Sequence, residues 1–223
     1  MFFEYGEQET AYLKKKDQAL AGVIDEVGHI HREVIPDLFA ALIHAIIGQQ
    51  ISTKAHTTVW QRAQTMFAPI TPEHIVSLPV DRLQTCGISM RKAVYIHEMA
   101  ATVLNGSLDL DELHALDDDA VCKRLCTIRG IGVWTAEMLM TFSMQRPDIL
   151  SWGDLAIQRG LRMLYRHRAI TPALFTKYRR RYSPYSTVAS LYLWALAGGA
   201  CSGYTDPAPG KNALKKTGST PDR

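Results

Sequence analysis

The chain has 223 residues, 47% of them apolar and 21% charged, with a formal net charge of +3. These values fit one ordinary globular domain or two small ones, and they exclude disordered, collagen-like and low-complexity proteins. No apolar run approaches the ~20 residues of a membrane span. Residues 1–16 lack the apolar core of a secretory signal. We therefore expect a cytoplasmic protein with no membrane partner.

The cysteines also favour a reduced, intracellular protein. Cys86, Cys122, Cys126 and Cys201 form no C-x-x-C pair, so the sequence does not support a zinc ribbon, an iron–sulfur cluster or a disulfide framework.

Charge is distributed unevenly along the chain. Residues 1–122 carry 9 Lys/Arg against 17 Asp/Glu, whereas residues 123–181 carry 12 against 3. A basic segment on an acidic chain favours an anionic partner, nucleic acid first. Alternatively, the two halves neutralise each other. Charge alone leaves both interpretations open.

In chain order the sequence predicts helix after helix. The stretch LFAALIHAII, from residue 38, is apolar on every face, which is typical of a fully buried helix. No alternating strands and no internal repeat are evident, so we predict an all-α fold. A helix-capping residue precedes each of eight predicted helices: Asp37, Ser52, Thr71, Ser89, Asp117, Asp154, Thr171 and Ser183.

The most informative motif is CKRLCTIRGIGVWTAEML, residues 122–139. It places two helices around the tight turn Gly130-Ile131-Gly132, with Ile131 as the expected apolar peg. Glycine lets backbone approach a partner closely, and the N–H groups that begin the second helix form a ready site for a DNA phosphate. A plain helix–turn–helix corner is the alternative, because G-x-G alone is a weak signal.

Further segments carry a resemblance to a known family. The hairpin is followed by RPDILSWGDLAIQRG (146–160), and LFAALIHAIIGQQISTKA (38–55), GISMRKAVYIHEMA (87–100) and SPYSTVASLYLWALA (183–197) also match. Over about residues 10–200 the chain resembles the helix-hairpin-helix DNA glycosylases, and most closely the 3-methyladenine DNA glycosylase II branch. We expect the protein to lack the N-terminal β-domain of the enterobacterial member.

The resemblance implies a two-lobed helical bundle with an active-site cleft between the lobes. We expect one lobe over residues 29–147, containing the hairpin at 129–132. The other lobe combines residues 1–28 with 148–223 and ends in a loose tail from about residue 202.

Asp154 matches the family's catalytic aspartate. Breaking an N-glycosidic bond puts positive charge on the deoxyribose, and a fixed carboxylate stabilises that charge and can orient the attacking water. Taken by itself, Asp154 also reads as an ordinary helix cap, and the two roles are compatible.

Other positions are implied to form the base pocket. Trp134 and Trp194 match pocket aromatics, which attract the cationic ring of an alkylated purine; a core role remains open for Trp194. Met138 replaces a pocket tyrosine. Bifunctional relatives have a lysine at the position of Trp134, so this chain is expected to remove the base without cutting the strand. Gln49 and Gln50 match the loop that fills the space left by the flipped base, with Gln50 as the wedge.

The remaining predicted contacts are to the DNA backbone. Arg129, which replaces the usual hairpin proline, joins Gly130, Ile131, Gly132, Arg91 and Lys92 as predicted DNA-binding positions. The family also implies a sodium or potassium ion at the backbone carbonyls of Cys126, Ile128 and Ile131, and no other cofactor.

Together these features predict a monomeric, monofunctional glycosylase that removes 3-methyladenine-type bases from damaged double-stranded DNA. It would act in the cytoplasm, associated with the nucleoid when bound to DNA. Two alternatives stay open: a glycosylase for a neutral lesion such as hypoxanthine or uracil, and a non-catalytic DNA-binding module. Asp154 argues against the second, because a carboxylate near phosphates weakens binding.

Overall fold

A computed structural model describes residues 1–208, and this part of the chain is almost entirely helical. It contains no strand; a single isolated bridge pairs Phe2 with Glu33. The all-α prediction is confirmed. In chain order the helices are α1 Glu7–Lys16, α2 Gln18–Val27, α3 Leu38–Gly48, α4 Thr53–Met66, α5 Pro72–Ser77, α6 Val80–Gln84, α7 Met90–Leu104, α8 Glu112–Ala115, α9 Asp118–Leu125, α10 Val133–Phe142, α11 Leu155–Tyr165, α12 Pro172–Tyr182 and α13 Ser186–Ala197.

The chain divides into two compact units. The first contains residues 1–3 and 33–146, and the second contains residues 4–32 and 147 onward. No helix within residues 1–208 has the length and apolar character needed to cross a bilayer.

The first unit is built around α3. Seven of its eleven residues are buried, in line with its largely apolar sequence, and it packs against α4, α7 and α10. Asp37 begins the helix by accepting a hydrogen bond from the Ala40 N–H at 3.0 Å. The helix ends at Gly48, directly before the Gln49–Ile51 segment, so the core of this unit fixes where that segment emerges.

The second unit is built around the crossing of α11 and α13. Gly160 allows this packing, because a Cβ at that position would lie 2.5 Å from the Leu193 carbonyl oxygen. The close crossing brings the N-terminus of α11 within reach of side chains on α13.

Ser183 precedes the last helix, as the sequence predicts, but it does not cap that helix. It ends α12, and Pro184 and Tyr185 lie between it and α13. The Asp148 carboxylate replaces it: it accepts from the Ser186 N–H at 3.1 Å and from the Ser183 hydroxyl at 2.6 Å.

The prediction of a loose tail from about residue 202 is wrong for residues 202–208. Ser202 donates its N–H to Glu26 at 3.0 Å, and Asp206 accepts from the Arg162 guanidinium at 2.8 and 2.6 Å. These bonds hold the segment against α2 and α11. The rest of the predicted tail, residues 209–223, lies outside the described residues.

Candidate functional site

The two glycines of the hairpin in the first unit differ in backbone conformation and in the space around them. Gly130 has φ +89°, and a Cβ there would lie 2.7 Å from the Tyr95 ring. Gly132 has φ −99°, and a Cβ there would meet no atom within 4 Å. The fold therefore requires glycine at 130 but not at 132. Ile131 is buried between them, as expected of the peg, and its N–H donates to the Ile128 carbonyl at 3.0 Å.

Gly132 begins α10 and brings no side chain to cap its N-terminus. The first N–H groups of an α-helix lack intrahelical partners, and the helix dipole adds partial positive charge there. An anion can therefore approach this helix end at a position where the glycine keeps the space open.

Arg129 lies on the surface beside this turn. Its Nη1 is 3.1 and 3.2 Å from the two carboxylate oxygens of Glu98, and its guanidinium lies 5.5 Å from the centre of the Tyr95 ring. About two thirds of the side chain remains exposed. Arg91, at the start of α7, is exposed as well. Phosphate contacts by both arginines stay predictions.

The segment Gln49–Gln50–Ile51, which we call the wedge loop, joins α3 to α4 next to the hairpin. The Gln49 side-chain amide donates to the Gly130 carbonyl at 2.7 Å, so a residue predicted for the base pocket is bonded to the hairpin instead. Gln50 and Ile51 are exposed, and Gln50 has φ +58°. The structure thus presents Gln50 at the tip of an anchored loop.

Lys92 faces the wedge loop. Its ammonium donates to the Ile47 carbonyl at 2.8 Å and to the Gln49 carbonyl at 2.6 Å. Burial lowers the pKa of this lysine, with a smaller contribution from Arg91. A residue predicted to contact phosphate is therefore already bonded to the backbone at the end of α3.

Trp134 and Met138 lie one turn apart on α10, so their side chains share a face of the helix. Trp134 is 48% exposed, whereas Met138 is partly buried. Trp134 therefore lies away from the buried side of α10, and its contact with a base stays a prediction.

The second unit holds Asp154 in a rigid setting. Asp154 is 7% exposed and caps α11. Its Oδ1 accepts from the Ala156 and Ile157 N–H groups, each at 2.9 Å, and from the Trp194 indole Nε1 at 3.2 Å. Donors of this kind stabilise negative charge on the carboxylate and fix its orientation. Asp154 is therefore both a helix cap and a positioned carboxylate.

Trp194 is tied to Asp154, and its place in the base pocket stays a prediction. It is partly buried in α13, and its indole N–H bonds to Asp154. The two residues lie 40 positions apart.

A profile of the HhH-GPD superfamily of base excision DNA repair proteins matches residues 43–184. The match covers the hairpin, the wedge loop and Asp154. The chain belongs to the HhH-GPD superfamily.

Similar proteins within the superfamily carry related names. DNA-3-methyladenine glycosylase 1 of Schizosaccharomyces pombe is 31% identical over 174 residues, which cover 76% of this chain and 75% of that protein. The crystal structure of a DNA-3-methyladenine glycosidase from Bacillus halodurans aligns with a TM-score of 0.80 at 33% identity, covering 92% of this chain and 95% of that one. A 3-methyladenine DNA glycosylase from S. pombe, in complex with abasic DNA, aligns with a TM-score of 0.76 at 27% identity, covering 88% and 100%.

The HhH-GPD hairpin is also where the monovalent cation was expected. Of the three carbonyls, that of Ile128 accepts the Ile131 N–H, which leaves its second lone pair for another partner. A hairpin carbonyl set suits a hard cation, so the sodium or potassium ion stays a prediction. Within residues 1–208 no group of three His, Cys, Asp or Glu side chains could hold a metal.

Sequence reasoning missed an apolar surface beside Asp154. Leu155 is 81% exposed and Trp152 is 41% exposed. The Trp152 ring packs edge-on against Phe175 at 5.1 Å, and its carbonyl accepts from the Gln158 side chain at 2.7 Å. The sequence shows these residues next to Asp154, but only the structure shows that they are exposed.

Proposed function

We propose that this protein is a monofunctional DNA glycosylase that hydrolyses the N-glycosidic bond of alkylated, 3-methyladenine-type bases in double-stranded DNA. The observation that carries the proposal is the Asp154 carboxylate, held by two backbone N–H groups and the Trp194 indole within an HhH-GPD chain. The names of similar proteins support the same substrate class.

The chemistry follows from the charges that form. When the bond between the base and C1′ breaks, both electrons leave with the base, and the sugar becomes an oxocarbenium-like cation. A fixed carboxylate stabilises this cation without reorganising, because its hydrogen bonds are in place before the reaction. Asp154 would act in this way and would orient the water that attacks C1′. The products are the free base and an abasic site.

Alkylated purines suit a site of this kind. Their positive charge makes them good leaving groups, so no strong acid is needed. Aromatic faces bind cationic rings, and Trp134 supplies an exposed aromatic side chain on α10. The base must leave the helix to be excised.

DNA binding is assigned to the first unit. The open N-terminus of α10 at Gly132 suits a phosphate, and Arg129 and Arg91 add exposed positive charge. Such contacts set the register on the duplex and read no sequence. Gln50 would fill the space that the extruded base leaves.

The monofunctional assignment rests on Trp134. A glycosylase that also cuts the strand forms a Schiff base through an amine, and the position where related enzymes carry a lysine holds an indole here. The protein would therefore release the base and leave the backbone intact.

The test is to incubate the protein with duplex DNA treated with a methylating agent, and separately with duplexes that carry hypoxanthine or uracil, and to identify the bases released. Release of 3-methyladenine or 7-methylguanine, with no strand nick and no borohydride-trapped adduct, is the expected result. A trapped adduct would contradict the monofunctional assignment. Release of hypoxanthine or uracil alone would assign a neutral lesion, and tight DNA binding without any release would leave only a binding module.

A further inference from the structure

The wedge loop is held at its first residue by two contacts within the first unit. At its start, the Gln49 side chain donates to the Gly130 carbonyl of the hairpin at 2.7 Å. The Gln49 carbonyl in turn accepts from the Lys92 ammonium at 2.6 Å. One residue thus connects the loop to both the hairpin and α7.

Lys92 also stabilises the end of α3. The last carbonyls of a helix lack intrahelical partners and carry partial negative charge, so a cation is favourable there. Lys92 bonds to the Ile47 carbonyl at 2.8 Å as well as to Gln49, which uses two of the three donors of its ammonium. The Lys92 ammonium therefore bonds to the backbone where α3 ends and the wedge loop begins.

A histidine packs on the same helix end. The His56 ring lies so close to Gly48 that a Cβ on Gly48 would be 2.5 Å from it, and His56 Nε2 is 3.0 Å from the His44 carbonyl oxygen. The end of α3 is therefore enclosed by α4 on one side and bonded to α7 on the other.

The loop tip shows why such anchoring matters. Gln50 has φ +58°, a left-handed conformation that non-glycine residues rarely adopt. Such a conformation persists only where the surrounding structure imposes it, and it is frequent at functional sites. The two anchors at Gln49, its side-chain amide on the Gly130 carbonyl and its own carbonyl on Lys92, supply that constraint and leave Gln50 exposed.

We propose that Lys92 is a positioning residue for base displacement: together with the Gln49 side chain it locks the wedge loop onto the hairpin, so that the phosphate-binding turn and Gln50 engage the duplex as one rigid part. This inference rests on the proposed function. It replaces the expectation that Lys92 binds phosphate directly.

The two roles differ in their dependence on salt. Each phosphate neutralised by a side chain contributes about 0.9 to the slope of log affinity against log salt concentration. A lysine that contacts phosphate would lower this slope when it is removed. A lysine committed to two carbonyls would leave the slope unchanged, whereas the adjacent and exposed Arg91 would lower it.

Three variants separate these roles. Lys92→Met keeps the aliphatic stem and removes the donors, Lys92→Arg restores a cation, and Arg91→Met is the matched control on the same turn of α7. For each, thermal unfolding establishes that the protein is folded, hydrogen exchange reports on residues 48–52, and DNA binding is measured across a salt series.

A fourth measurement tests base displacement. Single-turnover excision is compared between a methylated base in a fully paired duplex and the same base in an unpaired bubble, where no paired base needs to be displaced. Misplacement of groups that act on a substrate commonly costs tenfold or more. We expect Lys92→Met to lose about tenfold on the paired duplex but no more than about threefold in the bubble, since the extrusion step is already complete there.

The proposal further predicts faster exchange at residues 48–52 in Lys92→Met, an unchanged salt slope and partial rescue by Lys92→Arg. It is overturned if Lys92→Met lowers the salt slope as Arg91→Met does while exchange at 48–52 stays at the wild-type rate, or if excision falls equally on both substrates. Failure of the proposed function looks different, because the wild-type protein would then release no base from either substrate, and the exchange and salt measurements would still decide the role of Lys92.

Discussion

The two hairpin glycines offer a matched pair of substitutions with opposite expected effects. Gly130→Ala introduces a Cβ at φ +89°, with the Tyr95 ring atoms Cδ2 and Cε2 at 2.7 and 3.0 Å. Gly132→Ala introduces the same methyl group at φ −99° into open space. We expect Gly130→Ala to destabilise the protein, and Gly132→Ala to weaken DNA binding without destabilising it.

The magnitudes follow from these geometries. A left-handed conformation costs an L-residue about 1–2 kcal/mol, and crowding a packed side chain costs about 1–3 kcal/mol more. Gly130→Ala should therefore lower the free energy of unfolding by about 2–5 kcal/mol. Gly132→Ala should change it by less than about 1 kcal/mol, because alanine restricts the unfolded chain but is a poorer N-cap residue than glycine.

Chemical denaturation gives the stability of each variant, and titration of an undamaged duplex gives its affinity for DNA. A methyl group at residue 132 would stand between the phosphate and the helix N-terminus, so binding to undamaged and lesion-containing DNA should fall alike. A double-mutant cycle with Tyr95→Leu isolates the clash, since part of the cost of Gly130→Ala should disappear in that background.

Two results would contradict these expectations. Wild-type stability of Gly130→Ala would mean that the turn does not need glycine at that position. Wild-type DNA affinity of a folded Gly132→Ala would mean that the N-terminus of α10 does not approach a phosphate, and the hairpin would be only a structural corner.

Two further predictions concern His44 and Trp194. Burial, with a smaller contribution from His56, lowers the pKa of His44 to about 4. The unfolded chain therefore binds a proton at His44 more readily than the folded protein does. The free energy of unfolding should fall by about 1–3 kcal/mol as the pH drops from ~6.5 towards 4. Denaturation of wild type and His44→Phe across this range measures the effect, and equal pH dependence in both would rule His44 out as its source. Trp194→Phe keeps an aromatic ring but removes the donor to Asp154. Single-turnover excision should therefore slow by about tenfold, the equivalent of one charge-assisted hydrogen bond, while lesion affinity stays within a fewfold of wild type. A wild-type rate of excision would show that the indole bond does not position the carboxylate.

Local features of the fold were accessible from sequence. The caps at Ser52, Ser89 and Asp117 are confirmed, because each side chain bonds to an N–H only three residues ahead and the pattern is contained in a few letters. The buried helix α3 was equally clear from its continuous apolar sequence. Such features depend on residues that are close in sequence. They are found in the folded protein because no contact with a distant residue replaces them.

Distant partnerships were not accessible. Lys92 bonds to Gln49 across 43 residues, and Asp206 pairs with Arg162 across 44. A lysine or an aspartate in sequence gives no sign of whether its charge will meet solvent, phosphate or another part of the chain. The prediction that Lys92 contacts phosphate and the prediction of a loose segment around Asp206 both changed once these partners were known.

The candidate site shows the same difference between local features and contacts that are distant in sequence. The resemblance identified Asp154 and Trp194 separately, each with a structural alternative. The structure joins them, because Gly160 lets α13 approach α11 closely enough for the indole to reach the carboxylate. Backbone contacts of this kind depend on the packing of two helices and leave no spacing pattern to read.

Asp154 is proposed to stabilise the cationic sugar, beyond its role as a cap. Its Oδ1 accepts from Ala156, Ile157 and Trp194, and Asp154→Asn can keep these three bonds through its side-chain oxygen while losing the charge. Asp37→Asn is the control for the loss of a capping charge, since the Asp37 side chain caps α3 by accepting from the Ala40 N–H. Thermal unfolding establishes that both variants are folded.

The decisive measurement is single-turnover excision of a 7-methylguanine-type and a hypoxanthine-type substrate by wild type, Asp154→Asn and Asp37→Asn, with lesion affinity measured alongside. Loss of about 3–4 kcal/mol of charge stabilisation predicts a ~10²–10³-fold slower excision by Asp154→Asn, smaller for the cationic leaving group than for the neutral one. Affinity should hold or rise slightly, and Asp37→Asn should excise at the wild-type rate. Near wild-type excision of both substrates by Asp154→Asn would contradict the account and leave Asp154 as a helix cap only.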